Sequence, residues 1–116
     1  VIYLLGRNPD HLEGVRRELP RSENHRIISA DLKQVEDLKR RIQNERLEQA
    51  NLVAVVANAG VGGENHYGPE DRWEEIIGTN LSGTYYLIQE CLPALRTSDR
   101  KYKGIVIMSS ILARLG

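Results

Sequence analysis

Four apolar stretches divide the chain. Residues 1–5 are Val, Ile, Tyr, Leu and Leu without a polar break; residues 26–30, 51–57 and 104–109 are runs of equal or greater length rich in Val, Ile and Ala. Continuous apolar runs of this length suit strands covered on both faces of a parallel sheet, and residues 51–57 in particular are expected to have helices over both faces. Between them apolar residues recur at helical spacing instead. Leu12, Val15 and Leu19 share one helix face, as do Val35, Leu38 and Ile42, and then Trp73, Ile76, Ile77, Leu81, Tyr85, Ile88 and Leu92. Asn8, Pro9 and Asp10 supply an N-cap, a proline at the first helical position and an acid in the first turn. Pro20 stops that helix, and Pro93 is expected to bend or loosen the end of the long one. Strand and helix alternate throughout, which predicts an α/β fold with a parallel sheet and right-handed crossovers. Neither an internal repeat nor a low-complexity segment interrupts the order.

Composition narrows the possibilities. A chain of 116 residues makes one small domain, residues 1–116, able to bury roughly two-thirds of its unfolded surface. Hydrophobic residues at 41% and charged residues at 28% are the balance of an ordinary globule. Sixteen basic and sixteen acidic side chains cancel, and no basic stripe offers nucleic acid a binding face. The single cysteine, Cys91, has no intramolecular disulfide partner and reads as a small buried side chain. His11, His25 and His66 are scattered, so no metal site is indicated and surface positions are expected. No apolar run is long enough for a membrane span, and no basic stretch leads into a signal core. These features point to a cytoplasmic protein. Asn80-Leu81-Ser82 matches the glycosylation triplet, but inside a helical stretch without a secretory signal it reads as a chance match.

At the end of the third strand stand Ala57, Asn58, Ala59 and Gly60. This resembles the Asn-Asn-Ala-Gly motif of the short-chain dehydrogenase/reductase family, with Ala57 replacing the first asparagine. Three companions occur in the family's order: Asp31-Leu32 after the second strand, Thr79-Asn80-Leu81-Ser82-Gly83 in the long helix, and Ser109-Ser110 closing the fourth strand. The resemblance covers essentially the whole chain. It implies a Rossmann-type doubly wound parallel sheet that is incomplete here, lacking the family's first strand with its glycine-rich loop and everything after the fifth strand. The family's Tyr-x-x-x-Lys pair is also missing, because none of Tyr3, Tyr67, Tyr85, Tyr86 and Tyr102 has a lysine four residues on. In strand order 3-2-1-4-5-6 the missing first strand lies between two that are present. The polypeptide alone is therefore expected to fold without cooperativity or to close the gap in a non-native pairing, and to lack dehydrogenase activity.

The resemblance assigns roles to particular residues. Gly6 supplies no carboxylate for a ribose, whereas Arg7, just past the first strand, can grip a 2′-phosphate, so NADP(H) is favoured over NAD(H). Asp31 and Leu32 would face the adenine through a carboxylate and a backbone amide, although Asp31 also suits a helix cap. Asn58, Ala59 and Gly60 would let the backbone approach the cofactor, with Asn58 pinning neighbouring strands, although Asn and Gly also suit a plain strand-ending turn. Gly60, Gly62 and Gly63 do not make a phosphate loop, since Asn65 stands where a third glycine is needed; they read as a flexible lip over the site. Asn80, a polar residue on a largely apolar helix, needs a partner, and by resemblance holds a water in a proton relay. Ser110 would orient the substrate oxygen, with Ser109 taking its place if the register slips. Ala113, where the family often has glycine, affects the loop beyond.

Taken together, the resemblance implies reversible hydride transfer between NADP(H) and a ketone or secondary alcohol in the full-length protein, which would be a homodimer or homotetramer. Trp73 and Tyr85 read first as packing residues, although the long helix is a common subunit interface in the family. Two other readings stay open: a non-catalytic Rossmann module that senses NADP(H) or binds a partner, and a related epimerase or dehydratase.

Overall fold

The computed structural model of the chain describes residues 1–110. The predicted first cap is present. Asn8 Oδ1 accepts from the backbone N–H groups of Asp10 and His11 at 2.9 and 3.1 Å, satisfying two donors that open α1 (Pro9–Glu18). Before it lies β1 (Tyr3–Gly6), and after it β2 (Arg26–Ser29), which pairs with β1 in parallel from Tyr3 opposite Arg26 to Gly6 opposite Ser29. Next come α2 (Val35–Asn44) and β3 (Ala54–Ala57). Asn51 has a left-handed backbone conformation at φ 52°, and β3 starts at Ala54, three residues into the apolar run.

The long predicted helix is three segments: α3 (Trp73–Ile77), a π-helical turn (Gly78–Gly83) and α4 (Thr84–Thr97). Pro93 does not end it. The helix runs four residues further, and Thr97 Oγ1 donates to the Pro93 carbonyl at 3.0 Å near its end. The last strand, β4 (Gly104–Ile107), pairs in parallel with β3, Ala54 opposite Gly104 and Ala57 opposite Ile107.

The α/β architecture with parallel strands follows the sequence pattern, but the strands form two separate pairs, β1 with β2 and β3 with β4. β1 and β3 do not close on each other. Between their open edges lies an apolar cleft of about 230 Å³, lined by Tyr3, Leu5, Ala54, Val56 and Leu87 among others. The core occupies the layer between these strands and α2 and α4, around Leu38, Ile42, Val55, Cys91 and Leu95. Only one face of β3 is covered: Val55 and Ala57 are buried while Ala54 and Val56 are exposed, and β4 is exposed throughout. The expectation of helices over both faces of β3 is corrected here. The helices that pack on it, chiefly α4, lie on one side only. Trp73 and Tyr85 also depart from the packing reading, at 59% and 57% exposed: Trp73 opens α3, none of whose residues is buried, and Tyr85 lies on α4 away from its buried Cys91, Ala94 and Leu95.

Candidate active site

The π-helical turn is where residues distant in sequence meet. On one side, Gly83 lies so close to the segment after β2 that a Cβ there would stand 2.5 Å from Leu32 Cβ; Gly78 is crossed by the Lys33 stem, with a Cβ there 3.2 Å from Lys33 Cγ. On the other side, Asn80 holds the segment after β3. Its Oδ1 accepts from Val61 N–H and its Nδ2 donates to Val61 carbonyl, both at 2.8 Å, and Gly60 packs against the same amide. The partner that Asn80 needs is therefore a backbone 19 residues away. The side chain is exposed rather than buried, and it keeps one N–H and one lone pair for a water.

From Gly60 the chain makes a long loop before α3. Arg72 stitches its base: Nη1 donates to Gly62 carbonyl at 3.0 Å, Nε donates to Glu75 at 2.8 Å, and the backbone N–H donates to Asn65 Oδ1 at 2.6 Å. Asn65 Nδ2 in turn donates to Asp71 Oδ1, which also accepts from Trp73 N–H. The Trp73 amide, then Asn65, hold the Asp71 carboxyl below the usual carboxylate range. Arg72 does the same for Glu75, first by its hydrogen bond and then by its charge, with smaller contributions from Lys33 and Arg7. Gly63 has φ 112°, and a Cβ there would meet Arg72 Nη1 at 2.9 Å. The run of glycines is thus less a free lip than a loop tied at both ends. Sequence reasoning missed Arg72, Asn65 and Asp71 as a group. Asp71, two residues ahead of a helical run, was a readable start signal; the Arg72 contact back to Gly62 had none.

The remaining predicted residues sit at the carboxyl ends of the strands. Arg7, exposed just after β1, has its carbonyl within 3.5 Å of the Ser29 hydroxyl that donates to it, while its guanidinium makes no hydrogen bond or ion pair among the described residues. Asp31 follows β2 but does not cap α2, whose N-cap is Gln34; its Oδ1 accepts from Lys33 N–H at 2.9 Å, closing a local turn. Leu32 is buried in the core through its side chain. Asn58, Ala59 and Gly60 leave β3 exposed, and Asn58 makes no hydrogen bond among the described residues, so it does not pin the strands here. The bond from Met108 N–H to Ala57 carbonyl, 3.0 Å, does that instead. Ser109 and Ser110 follow β4 on the same end of the sheet and are exposed; Ala113 lies outside the described residues. Thr79 Oγ1 is buried without a hydrogen-bond partner among the described residues.

Outside this end, Cys91 is buried as expected, and burial pushes its thiol up to about 11. His25 is half-exposed and engaged at both ring nitrogens: Ile2 N–H donates to its Nδ1 and its Nε2 lies 3.0 Å from Pro20 carbonyl, tying the start of the chain to the turn after α1. No group of three or more possible metal ligands occurs among the described residues, and among them no helix is long and apolar enough to cross a membrane.

The carboxyl ends of parallel strands are where open α/β sheets bind nucleotides, and the exposed cation of Arg7 and bare backbone at Ala59 and Gly60 fit such a ligand. Residues 1–116 match the family described as short chain dehydrogenase, and the chain belongs to it. Among curated relatives, an oxidoreductase of Sarocladium schorii is 29% identical over 96 residues, 81% of this chain and 38% of that protein. A protein of Mycobacterium tuberculosis named as an NAD-dependent oxidoreductase is 30% identical over 77% of this chain and 34% of its own length. A short-chain dehydrogenase/reductase of Brucella melitensis shares the fold at TM-score 0.80 and 24% identity, over 98% of this chain and 47% of its own. A Sinorhizobium meliloti 3-ketoacyl-ACP reductase is 29% identical at TM-score 0.76, over 94% of this chain and 44% of its own. The chain thus spans between a third and a half of these relatives.

Proposed function

We propose that the full-length protein containing this chain is an oxidoreductase that moves hydride reversibly between NADP(H) and a ketone or secondary alcohol. The observation that carries the reading is the placement of Asn58, Ala59 and Gly60 beside Ser109 and Ser110, at the carboxyl ends of two hydrogen-bonded parallel strands. When bound, the nicotinamide supplies or accepts the hydride at the carbinol carbon. Ser110 hydrogen-bonds the substrate oxygen and supports the charge that develops on it. The proton for that oxygen comes from a Tyr-x-x-x-Lys pair elsewhere in the protein, and Asn80, with one amide N–H and one lone pair in reserve, holds the water that replenishes it. Asp31 and the Leu32 amide face the adenine, Ala59 and Gly60 let the backbone close on the dinucleotide, and Arg7 binds the 2′-phosphate. Asn58, at the end of β3, belongs to the same wall.

The NADP(H) preference rests on Arg7, an exposed guanidinium with no ion-pair partner among the described residues. One relative is named NAD-dependent and one similar structure is an NADP complex, so the family contains both. Exposed Trp73 and Tyr85 support a homodimer or homotetramer, and the lone buried Cys91 suits a cytoplasmic location. Steady-state kinetics of the full-length protein with NADPH and NADH against a panel of ketones test the reading. The wild type should prefer NADPH, and Arg7→Asp should lower the NADPH-to-NADH ratio of kcat/KM about 10- to 100-fold, the loss of a charge-assisted contact. Nucleotide binding without any turnover would instead mean a non-catalytic sensor.

A further inference from the structure

We propose that Arg72 is a positioning residue that, with Gly63, latches the loop 61–72 into the wall of the substrate space. The inference rests on the dehydrogenase reading above and adds a residue that the family's motifs do not contain. The loop leaves β3 directly after the bare backbone at Ala59 and Gly60 and returns at α3, so it stands at the same end of the sheet as Ser109 and Ser110. Its near end is fixed by Asn80 gripping both polar atoms of Val61. At its far end Asn65 and Asp71 close a local turn, and the Arg72 guanidinium reaches back across the loop to Gly62 carbonyl on one side and to Glu75 on the other. The guanidinium is the only side-chain group among the described residues that spans from α3 to the glycine run. At the tip of the loop Tyr67 is fully exposed.

Gly63 makes the latch possible on two counts. Its φ of 112° is a conformation that side chains other than glycine's rarely adopt, and any Cβ would press on Arg72 Nη1 at 2.9 Å. The fork of the guanidinium serves both acceptors at once; a lysine, with a single nitrogen, reaches only one of them in good geometry. Releasing the latch frees the segment after Val61 while leaving the Asn80 clasp and the strand ends in place. The consequence falls on how the substrate is held, and less on the bond-making step.

The test uses the full-length protein and four variants: Arg72→Ala, Arg72→Lys, Gly63→Ala and the Arg72→Ala/Gly63→Ala double. Backbone amide exchange over residues 61–68 should rise at least tenfold in every variant, and KM for a reducible ketone should rise about tenfold with kcat changed less than threefold. Arg72→Lys should fall between wild type and Arg72→Ala, and the double variant should be no worse than Arg72→Ala, since both changes break one contact. Exchange that stays at the wild-type rate, additive effects in the double variant, or a loss in kcat at constant KM would each overturn the proposal. Should Arg72→Ala not fold, Arg72→Lys and Gly63→Ala carry the same comparison. A wild type without turnover on any ketone would sink the dehydrogenase reading, and the exchange arm would still decide whether the latch exists.

Discussion

A methyl group on Gly83 would stand 2.5 Å from Leu32 Cβ, 3.0 Å from Gly78 carbonyl and 3.1 Å from Leu32 carbonyl. Two of those three atoms are backbone, so relief requires moving a helix or the segment after β2. Gly83→Ala should therefore destabilise the full-length protein by about 1–3 kcal/mol, the usual cost of overpacking, read as a lower urea midpoint at unchanged slope. Gly14, whose added Cβ would meet nothing within 4 Å, is the control and should be neutral or slightly stabilised by alanine. At Cys91 the same density acts on chemistry. Burial raises its thiol from 9.0 to about 11, so at pH 8 it should be alkylated by iodoacetamide about a hundredfold more slowly than a free thiol and at full rate in denaturant. Equal rates in both conditions would show that the Cys91 pocket opens. The Gly83 and Asn80 assignments illustrate how far residue-level reading goes: the sequence marks both as special, and only the contacts to Leu32 and Val61 say for what.

The elements show a division between local and long-range determinants. α1 begins where Asn8, Pro9 and Asp10 say it should, because an N-cap acts within three residues. The segment that reads as one helix from its apolar period is broken by the π-helical turn, which no periodicity announces. The loop before it is held by carboxylates whose affinity for protons is lowered, Asp71 chiefly by the Trp73 amide and Glu75 chiefly by Arg72. A depressed carboxylate contributes order that is fully present above its unfolded value and lost as pH falls through its folded one. The loop should thus stay ordered at neutral pH and loosen only below the ordinary carboxylate range. Trp73 fluorescence and amide exchange of residues 61–72 against pH would show it, and a transition centred near neutrality would contradict this account. Asp71 is exposed and Glu75 partly so, and the effect should shrink at high salt only for Glu75, whose partner is charged.

For the molecule as a whole, the governing feature is the cleft between β1 and β3. Two strand pairs with open facing edges leave backbone N–H and carbonyl groups beside apolar walls, and β4 shows Ile105, Val106 and Ile107 to solvent. The radius of gyration, 15.6 Å, exceeds the roughly 13 Å of a compact domain of this length. A parallel strand inserted between β1 and β3 would satisfy both edges, as the family's strand order requires. The 116-residue polypeptide by itself should accordingly unfold in urea with non-coincident near- and far-ultraviolet circular dichroism transitions, where the full-length protein gives one. A single coincident transition for the isolated polypeptide would show that the two strand pairs and their helices suffice. By itself the sequence determined the alternation of strands and helices, the Asn8 cap of α1 and the family motifs, because each depends on neighbours within a turn or a pleat. The tertiary structure alone decided that Asn80 clasps Val61, that Arg72 latches Gly62, that Leu32 fills the space of a missing Cβ and that one face of β3 stays bare. Those outcomes depend on which distant surfaces meet, and local patterning carries no record of them.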